Sequence, residues 1–170
     1  MATLRRSIAV STLFTLFGGP GIALFFGPWS ITRFRVPAGE PEWRIIVAAA
    51  LIAVGLLPLL ESIVRFVRVG RGTLMPLVPT ERLVVSGLYR YVRNPMYTGA
   101  LTVLAGEAVL FGSRAMIVYL AAVWLAFHLF VCFYEEEKLS RTFPDEYRRY
   151  KSNVPRWLPR VTAWRGNAAK

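Results

Sequence analysis

Two polar clusters stand at the ends of apolar runs in this chain. The first is Leu83 to Gly99, LVVSGLYRYVRNPMYTG, which holds Arg90, Arg93, the pair Asn94-Pro95, and Tyr89, Tyr91 and Tyr97. The second is Glu135-Glu136-Glu137. His128, Cys132 and Glu135 are spaced by four and three, so a helix carries them on one face. Ionisable groups at the ends of membrane helices are costly near lipid unless they bind something. Carboxylates at a helix C-terminus also oppose the macrodipole. Glu135 and Glu136 therefore call for a positive partner, either a loop arginine or a cationic ligand. The blander alternative is a solvated helix end.

Asn94-Pro95 reads as the cap and first residue of a helix. The free N–H groups of that helix make an anion site, although Asn94 can equally be a cap and no more. Gly70-Arg71-Gly72 is a lone GxG that permits close backbone approach. One wall thus offers backbone donors and arginines, and the other offers carboxylates. A ligand with both a carboxylate and a positive centre fits, and many zwitterions have that character. For proton transfer the candidates are His128 and Glu136, with Glu61 as a further base.

These clusters need elements to position them. The chain has 170 residues, which suits one domain. It is 55% hydrophobic, with a mean hydropathy of +0.43, yet its formal net charge is +11. Grease and basicity together require apolar helices in lipid and basic loops outside it. Four apolar runs supply the helices: Ser7 to Trp29, Trp43 to Val67, about Tyr97 to Phe111 and about Ala115 to Phe133. Gly18-Gly19-Pro20-Gly21 interrupts the first, which reads as a retained helix and not a cleaved signal. The third is short for a span of about 20 residues, and Gly112-Ser113-Arg114 joins it to the fourth as a hairpin. The expected fold is all-α and integral to the membrane, with about four transmembrane helices and a C-terminal amphipathic cytoplasmic helix region.

Most of the 21 basic residues fall in the N-terminus, in the loop from Arg65 to Arg93 and in the tail. The positive-inside rule then puts both termini and that loop in the cytoplasm. In the tail, Leu139, Phe143, Tyr147 and Tyr150 form one helical face suited to the membrane surface. Pro144 reads as the start of a second helix. Trp157 and Trp164 read as interfacial anchors. Residues 1–160 are expected to form one domain, its cofactor half about 70–160, with 161–170 a disordered tail.

Nucleic-acid binding is not expected: a basic nucleic-acid protein would not carry four long apolar runs. Cys132 is the one cysteine, so no intrachain disulfide can form. No metal site is expected. No GxGxxG follows a strand, which excludes a soluble nucleotide fold.

The stretch LVVSGLYRYVRNPMYTG is followed by Glu135-Glu136, Leu139, Phe143, Tyr147, Tyr150, Val154-Pro155-Arg156 and Pro159. This pattern resembles the isoprenylcysteine carboxyl methyltransferases and their relatives, the phospholipid N-methyltransferases. It covers about Gly70 to Pro159. The resemblance implies an integral-membrane enzyme that transfers a methyl group from S-adenosylmethionine to a lipid or small amphipathic acceptor at the cytoplasmic face. By matching motif positions, the cofactor would contact Leu83, Val84, Tyr89, Asn94, Pro95, Met96 and Tyr97, with Glu135 and Glu136 from the other wall. Gly70 and Gly72 match the family's GxG loosely. Asn94 stands where the carboxyl methyltransferases carry His, and Val131 where they carry an acceptor-binding Arg. Both departures lead away from a prenylcysteine acceptor, whose carboxylate would lack its clamp.

Two alternatives compete. Membrane sterol reductases look similar here and use NADPH, but they place a Glu after Tyr-x-Gly, where this chain has Ala100. A non-catalytic assembly factor that kept the fold is the other.

Overall fold

The computed structural model describes residues 21–68 and 83–166. The N-terminal part of the first apolar run, and Gly70 and Gly72, lie outside the described residues. Every regular element among the described residues is helical. Helix α1, Ile22–Thr32, opens with a π turn and ends at Arg33, which takes a left-handed conformation. Helix α2 is Glu42–Arg68, and α3 is Pro95–Phe111. Helix α4 runs from Arg114 to Thr142, with a π turn at Val131–Glu135. Helix α5 is Pro144–Asn153, and Pro144 starts it as expected.

Two helices are long and apolar enough to cross a membrane: Glu42–Ser62 within α2, and α4. Helices α1 and α3 are shorter apolar segments, so the described residues support two candidate spans where the sequence suggests about four. The outer faces are apolar: Leu57, Val118 and Phe133 are 67%, 69% and 72% exposed. Such surfaces suit hydrocarbon, whereas a soluble protein rarely exposes contiguous apolar area of this kind.

Helices α2 and α3 pack backbone to backbone. A Cβ on Gly55 would lie 2.6 Å from the Gly99 carbonyl, and one on Gly99 would lie 2.6 Å from the Gly55 carbonyl. A Cβ on Gly106 would lie 2.9 Å from the Ala48 carbonyl. Small residues at a membrane-helix interface permit this close approach, where van der Waals contact replaces the hydrophobic drive. Gly112 caps α3 at φ +59°, a left-handed turn that glycine takes without penalty, and α4 then returns beside α3.

Helix α4 does not stop at the end of its apolar run. The π turn carries it on to Thr142, so the acidic cluster lies inside a continuous helix. The face expected to lie on the membrane packs inward instead. Tyr147, Tyr150 and Val154 are buried, with Leu83, Val85, Leu139, Phe143 and Trp164 against them.

After α5, residues 154–166 form a strap across the loop that precedes α3. Arg93 N donates to Pro155 O at 2.9 Å, Arg160 N to Tyr91 O at 2.9 Å, and Trp164 N to Arg90 O at 2.9 Å. Arg90 Nε returns a bond to Trp164 O at 2.7 Å. Residues 161–166, part of the tail expected to be disordered, run in this strap, and 167–170 lie outside the described residues. Trp164 is an internal anchor, its ring centroid 5.8 Å from that of Tyr150.

Candidate functional site

The α3–α4 end of the bundle gathers both polar clusters. Tyr97 Oη donates to Glu135 Oε2 at 3.1 Å, bridging the first turn of α3 to the π turn of α4. The Tyr97 ring also meets Phe127, centroid to centroid at 4.8 Å. Tyr89 is buried beside them in the short 3₁₀ turn Gly87–Arg90. Its phenol is held well above the ordinary tyrosine value by burial, and the nearby Glu135 and Glu61 carboxylates push it the same way. Tyr89 thus lies within electrostatic reach of carboxylates on both α2 and α4. Gly87, at φ +55°, meets the Glu61–Arg65 ion pair of α2, where a Cβ would collide with both side chains.

Glu136 has a different environment from its neighbour. It is 5% exposed and faces three cations. Arg156 Nε donates to Oε1 at 2.6 Å and Arg156 Nη2 to Oε2 at 3.1 Å, a bidentate grip. Arg93 Nη1 donates to Oε1 at 2.9 Å, and Lys151 Nζ lies 3.1 Å from Oε2. Arg93 Nη1 is also 3.3 Å from the Tyr147 hydroxyl. Hydrogen bonding to Glu136 raises Arg156 above the usual arginine value. Burial, with the Glu136 charge behind it, pushes Tyr147 up to about 12. The positive partner that the acidic cluster demanded is thus built into the chain, from the loop, α5 and the strap.

Asn94 occupies the N-cap position of α3 but makes no side-chain cap bond. Its Nδ2 donates to Arg156 O at 3.1 Å, so it holds the strap and not the helix. Pro95 is buried at the first helical position, as expected. Met96 is half-buried next to it. Val84 is buried, while Leu83 packs against the α5 tyrosines. Leu83 thus belongs to the floor under α5.

His128 sits two turns before Glu135, stacked between two indoles. Its ring centroid is 5.4 Å from that of Trp124 and 6.0 Å from that of Trp157. Trp157 Nε1 donates to His128 Nδ1 at 3.2 Å, and Nε2 faces Cys132 Sγ at 3.6 Å. Trp157, expected from sequence as an interfacial anchor, is thus tied to α4 through His128.

Along α3 and α4, below this polar end, runs an open groove of about 600 Å³. Leu51, Leu101, Ala105, Ile117, Leu120 and Trp124 are among its lining residues. Its two polar side chains are committed: Thr98 Oγ1 donates to Asn94 O at 2.9 Å and Thr102 Oγ1 to Thr98 O at 2.9 Å. The groove accordingly presents hydrocarbon to whatever enters it. Sequence reasoning missed Arg93, Lys151, Arg156 and Trp157 as site-forming residues. The one signal was the triple glutamate, which required cations without saying which.

A helical membrane protein with a buried polar cluster at one end of an apolar groove is the class these features define. Within that class, a family model described as phospholipid methyltransferase matches residues 43–146, and the chain belongs to that family. It is 32% identical over 79 residues to a protein-S-isoprenylcysteine O-methyltransferase of Schizosaccharomyces pombe, covering 46% of this chain and 34% of that one. It is 25% identical over 140 residues to the nickel-cobalt-cadmium resistance protein NccN of Alcaligenes xylosoxydans xylosoxydans, covering 82% of this chain and 64% of that one. The chain thus spans less than two thirds of either relative. No solved structure matches it.

Proposed function

We propose that this chain transfers a methyl group from S-adenosylmethionine to a lipid-like acceptor, at the end of the bundle that carries Glu135. The observation that carries this reading is the Tyr97–Glu135 hydrogen bond, set beside buried Tyr89 and at the head of an apolar groove. Family membership supports methyl transfer as the chemistry.

The donor set suits the cofactor. Arg93 Nε and Ser86 Oγ are buried without a hydrogen-bond partner and can receive a carboxylate. Glu135, and the buried unpartnered Oε2 of Glu61, can take an ammonium or ribose hydroxyls. Gly70 and Gly72, outside the described residues, remain expected cofactor contacts. When bound, the cofactor supplies a methyl group already activated on a sulfonium. The residues of the chain then have to bind, orient and exclude water. Tyr97 fixes the Glu135 carboxylate, Asn94 and Arg156 hold the strap against this end of the bundle, and the groove admits an acyl or prenyl chain sideways from lipid. Glu136, gripped by three cations, positions the wall. The basic termini and loop put this face in the cytoplasm.

The reductase alternative has no observation in its favour. Among the described residues no three His, Cys, Asp or Glu side chains are grouped to hold an ion. Calorimetric titration of the detergent-purified protein with S-adenosylmethionine, S-adenosylhomocysteine and NADPH tests the reading. Binding of the first two, lost in Glu135→Gln, is expected. Binding of NADPH alone would sink it, and binding of none would favour an assembly factor. A labelled-methyl assay on membrane lipid extracts then names the acceptor.

A further inference from the structure

The strap contains two of the most exposed apolar side chains of the described residues. Leu158 is 79% exposed and Val161 is 98% exposed. They flank Pro159 and Arg160, and both follow Trp157, whose ring is turned inward onto His128. That contact fixes how deep the strap reaches. His128 lies five residues before Phe133, about 7.5 Å along the axis of α4. Phe133 is itself 72% exposed and Leu129 45% exposed, so the outer surface of α4 is still apolar above the level of Trp157. The Trp157 ring therefore lies level with the lipid-facing surface of α4, and Leu158 and Val161 follow it directly before the strap turns back to Trp164.

We propose that residues 157–161 are embedded in the lipid leaflet at this end of the bundle, with Leu158 and Val161 in its hydrocarbon edge. Water would otherwise meet two large apolar side chains at the depth where the adjoining helix faces hydrocarbon. The lipid contact is continuous with that of α4. The same strap supplies Arg156 to Glu136 and Pro155 O to Arg93 N, so the leaflet helps to hold the wall of the candidate site. The proposal needs α4 to cross the bilayer and does not depend on which cofactor or acceptor is used.

The test is depth measurement on the full chain in phosphatidylcholine–phosphatidylglycerol vesicles. Leu158→Cys and Val161→Cys, each made with Cys132→Ser, are spin-labelled, and collisions with oxygen and with a water-soluble nickel chelate are compared. Phe133→Cys serves as the lipid-facing reference and Arg149→Cys as the aqueous one. Oxygen-dominated collisions at 158 and 161, as at 133, are expected. Nickel-dominated collisions, as at 149, overturn the proposal. Protection from both reagents also overturns it, because protein and not lipid would then cover the strap. A photoreactive phospholipid with its diazirine near the headgroup gives the same answer on the unaltered chain. Adducts are expected on the peptide carrying Leu158 and Val161. Adducts on the Phe133 peptide without any on the strap contradict the proposal.

Discussion

Trp157 donates its indole N–H to Nδ1 of His128 across 3.2 Å. An indole nitrogen is a donor only, so a neutral imidazole facing it leaves Nδ1 bare and carries its proton on Nε2. The Nε2 side faces Cys132 Sγ at 3.6 Å. The lone pair that a general base would use is thereby occupied. Arg156, the preceding residue, closes on Glu136 at 2.6 Å. Two adjacent residues of the strap thus hold two of the three side chains that the sequence nominates for proton transfer. That geometry favours positioning roles for His128 and Glu136, and under the proposed function Tyr97 and Glu135 are the pair that would face the ligand.

Replacing Trp157 by Phe keeps an aromatic ring against His128 and deletes the donor. One neutral hydrogen bond contributes about 1 kcal/mol, so the fold is expected to persist with a small loss of thermal stability. His128 is the single histidine of the chain, so its imidazole nitrogens are unambiguous in nitrogen NMR. The parent is expected to show one tautomer, protonated on Nε2, and Trp157→Phe a mixture. A mixture already present in the parent would remove the argument for a fixed tautomer.

Glu136→Gln leaves Arg93, Lys151 and Arg156 facing one another without the carboxylate they share. Arg93 and Glu136 side chains are 9% and 6% exposed, so this pair is buried, while Arg156 and Lys151 are 28% and 49% exposed. Removing one partner of such a pair costs about 3–5 kcal/mol, because the remaining charge stays buried and unpaired. Thermal unfolding in detergent should show a large loss, with the strap the first segment to gain hydrogen exchange. If Glu136→Gln unfolds like the parent but loses activity, Glu136 acts on the substrate and not on the wall.

Tyr97→Phe removes the bond to Glu135 Oε2 and keeps the ring against Phe127. A hydrogen bond of this kind contributes about 1 kcal/mol, so if it orients Glu135 for the cofactor, affinity for S-adenosylmethionine should fall by roughly fivefold. Calorimetry reads this directly. An unchanged affinity would place Glu135 outside the cofactor site.

Much of this architecture was legible in the sequence, and the reasons differ by element. Hydropathy marked α2, α3 and α4 because lipid demands continuous apolar runs, and Gly112 and Pro144 marked a helix end and a helix start. The meeting of the Asn94–Tyr97 turn with Glu135–Glu136 was legible because polar groups at membrane depth need a reason. The partners were not. Leu139, Phe143, Tyr147 and Tyr150 have the periodicity of an amphipathic face, but periodicity cannot say whether a face meets lipid or protein. Here it meets Leu83 and Val85. Asn94 has the type and place of a cap, yet its side chain reaches Arg156 O, 62 residues on. The strap has no regular structure, so no pattern announced that Arg156 and Trp157 would close the site.

The close approach of α2 and α3 makes a further prediction. In Gly99→Ala the new Cβ lies 2.6 Å from the Gly55 carbonyl and 2.9 Å from Pro58 Cγ. Both obstacles belong to a helix and cannot swing away, so the helices must separate. Overpacking of this kind costs about 1–3 kcal/mol. Thermal unfolding in detergent should fall accordingly. A Gly99→Ala protein as stable as the parent would mean the two helices are not in backbone contact.

The tyrosines under α5 tie stability to alkaline pH. Burial holds Tyr150 and Tyr89 well above the ordinary tyrosine value of 10, and Tyr147 is pushed up to about 12. A group whose folded value is raised contributes stability that is complete below the unfolded value and is lost as pH rises through the folded one. Between pH 10 and about 12 the unfolded chain therefore gives up protons that the folded one keeps, and stability falls. Tyr150 also donates to Tyr89 O at 2.7 Å, a bond its ionised form cannot make. Tyrosinate absorbance and tryptophan fluorescence, followed together through this window, should change in step, because Trp164 packs on Tyr150 and reports the same cap. Smooth ionisation of every tyrosine while the Trp164 environment stays intact would show that these phenols are not buried in the working protein.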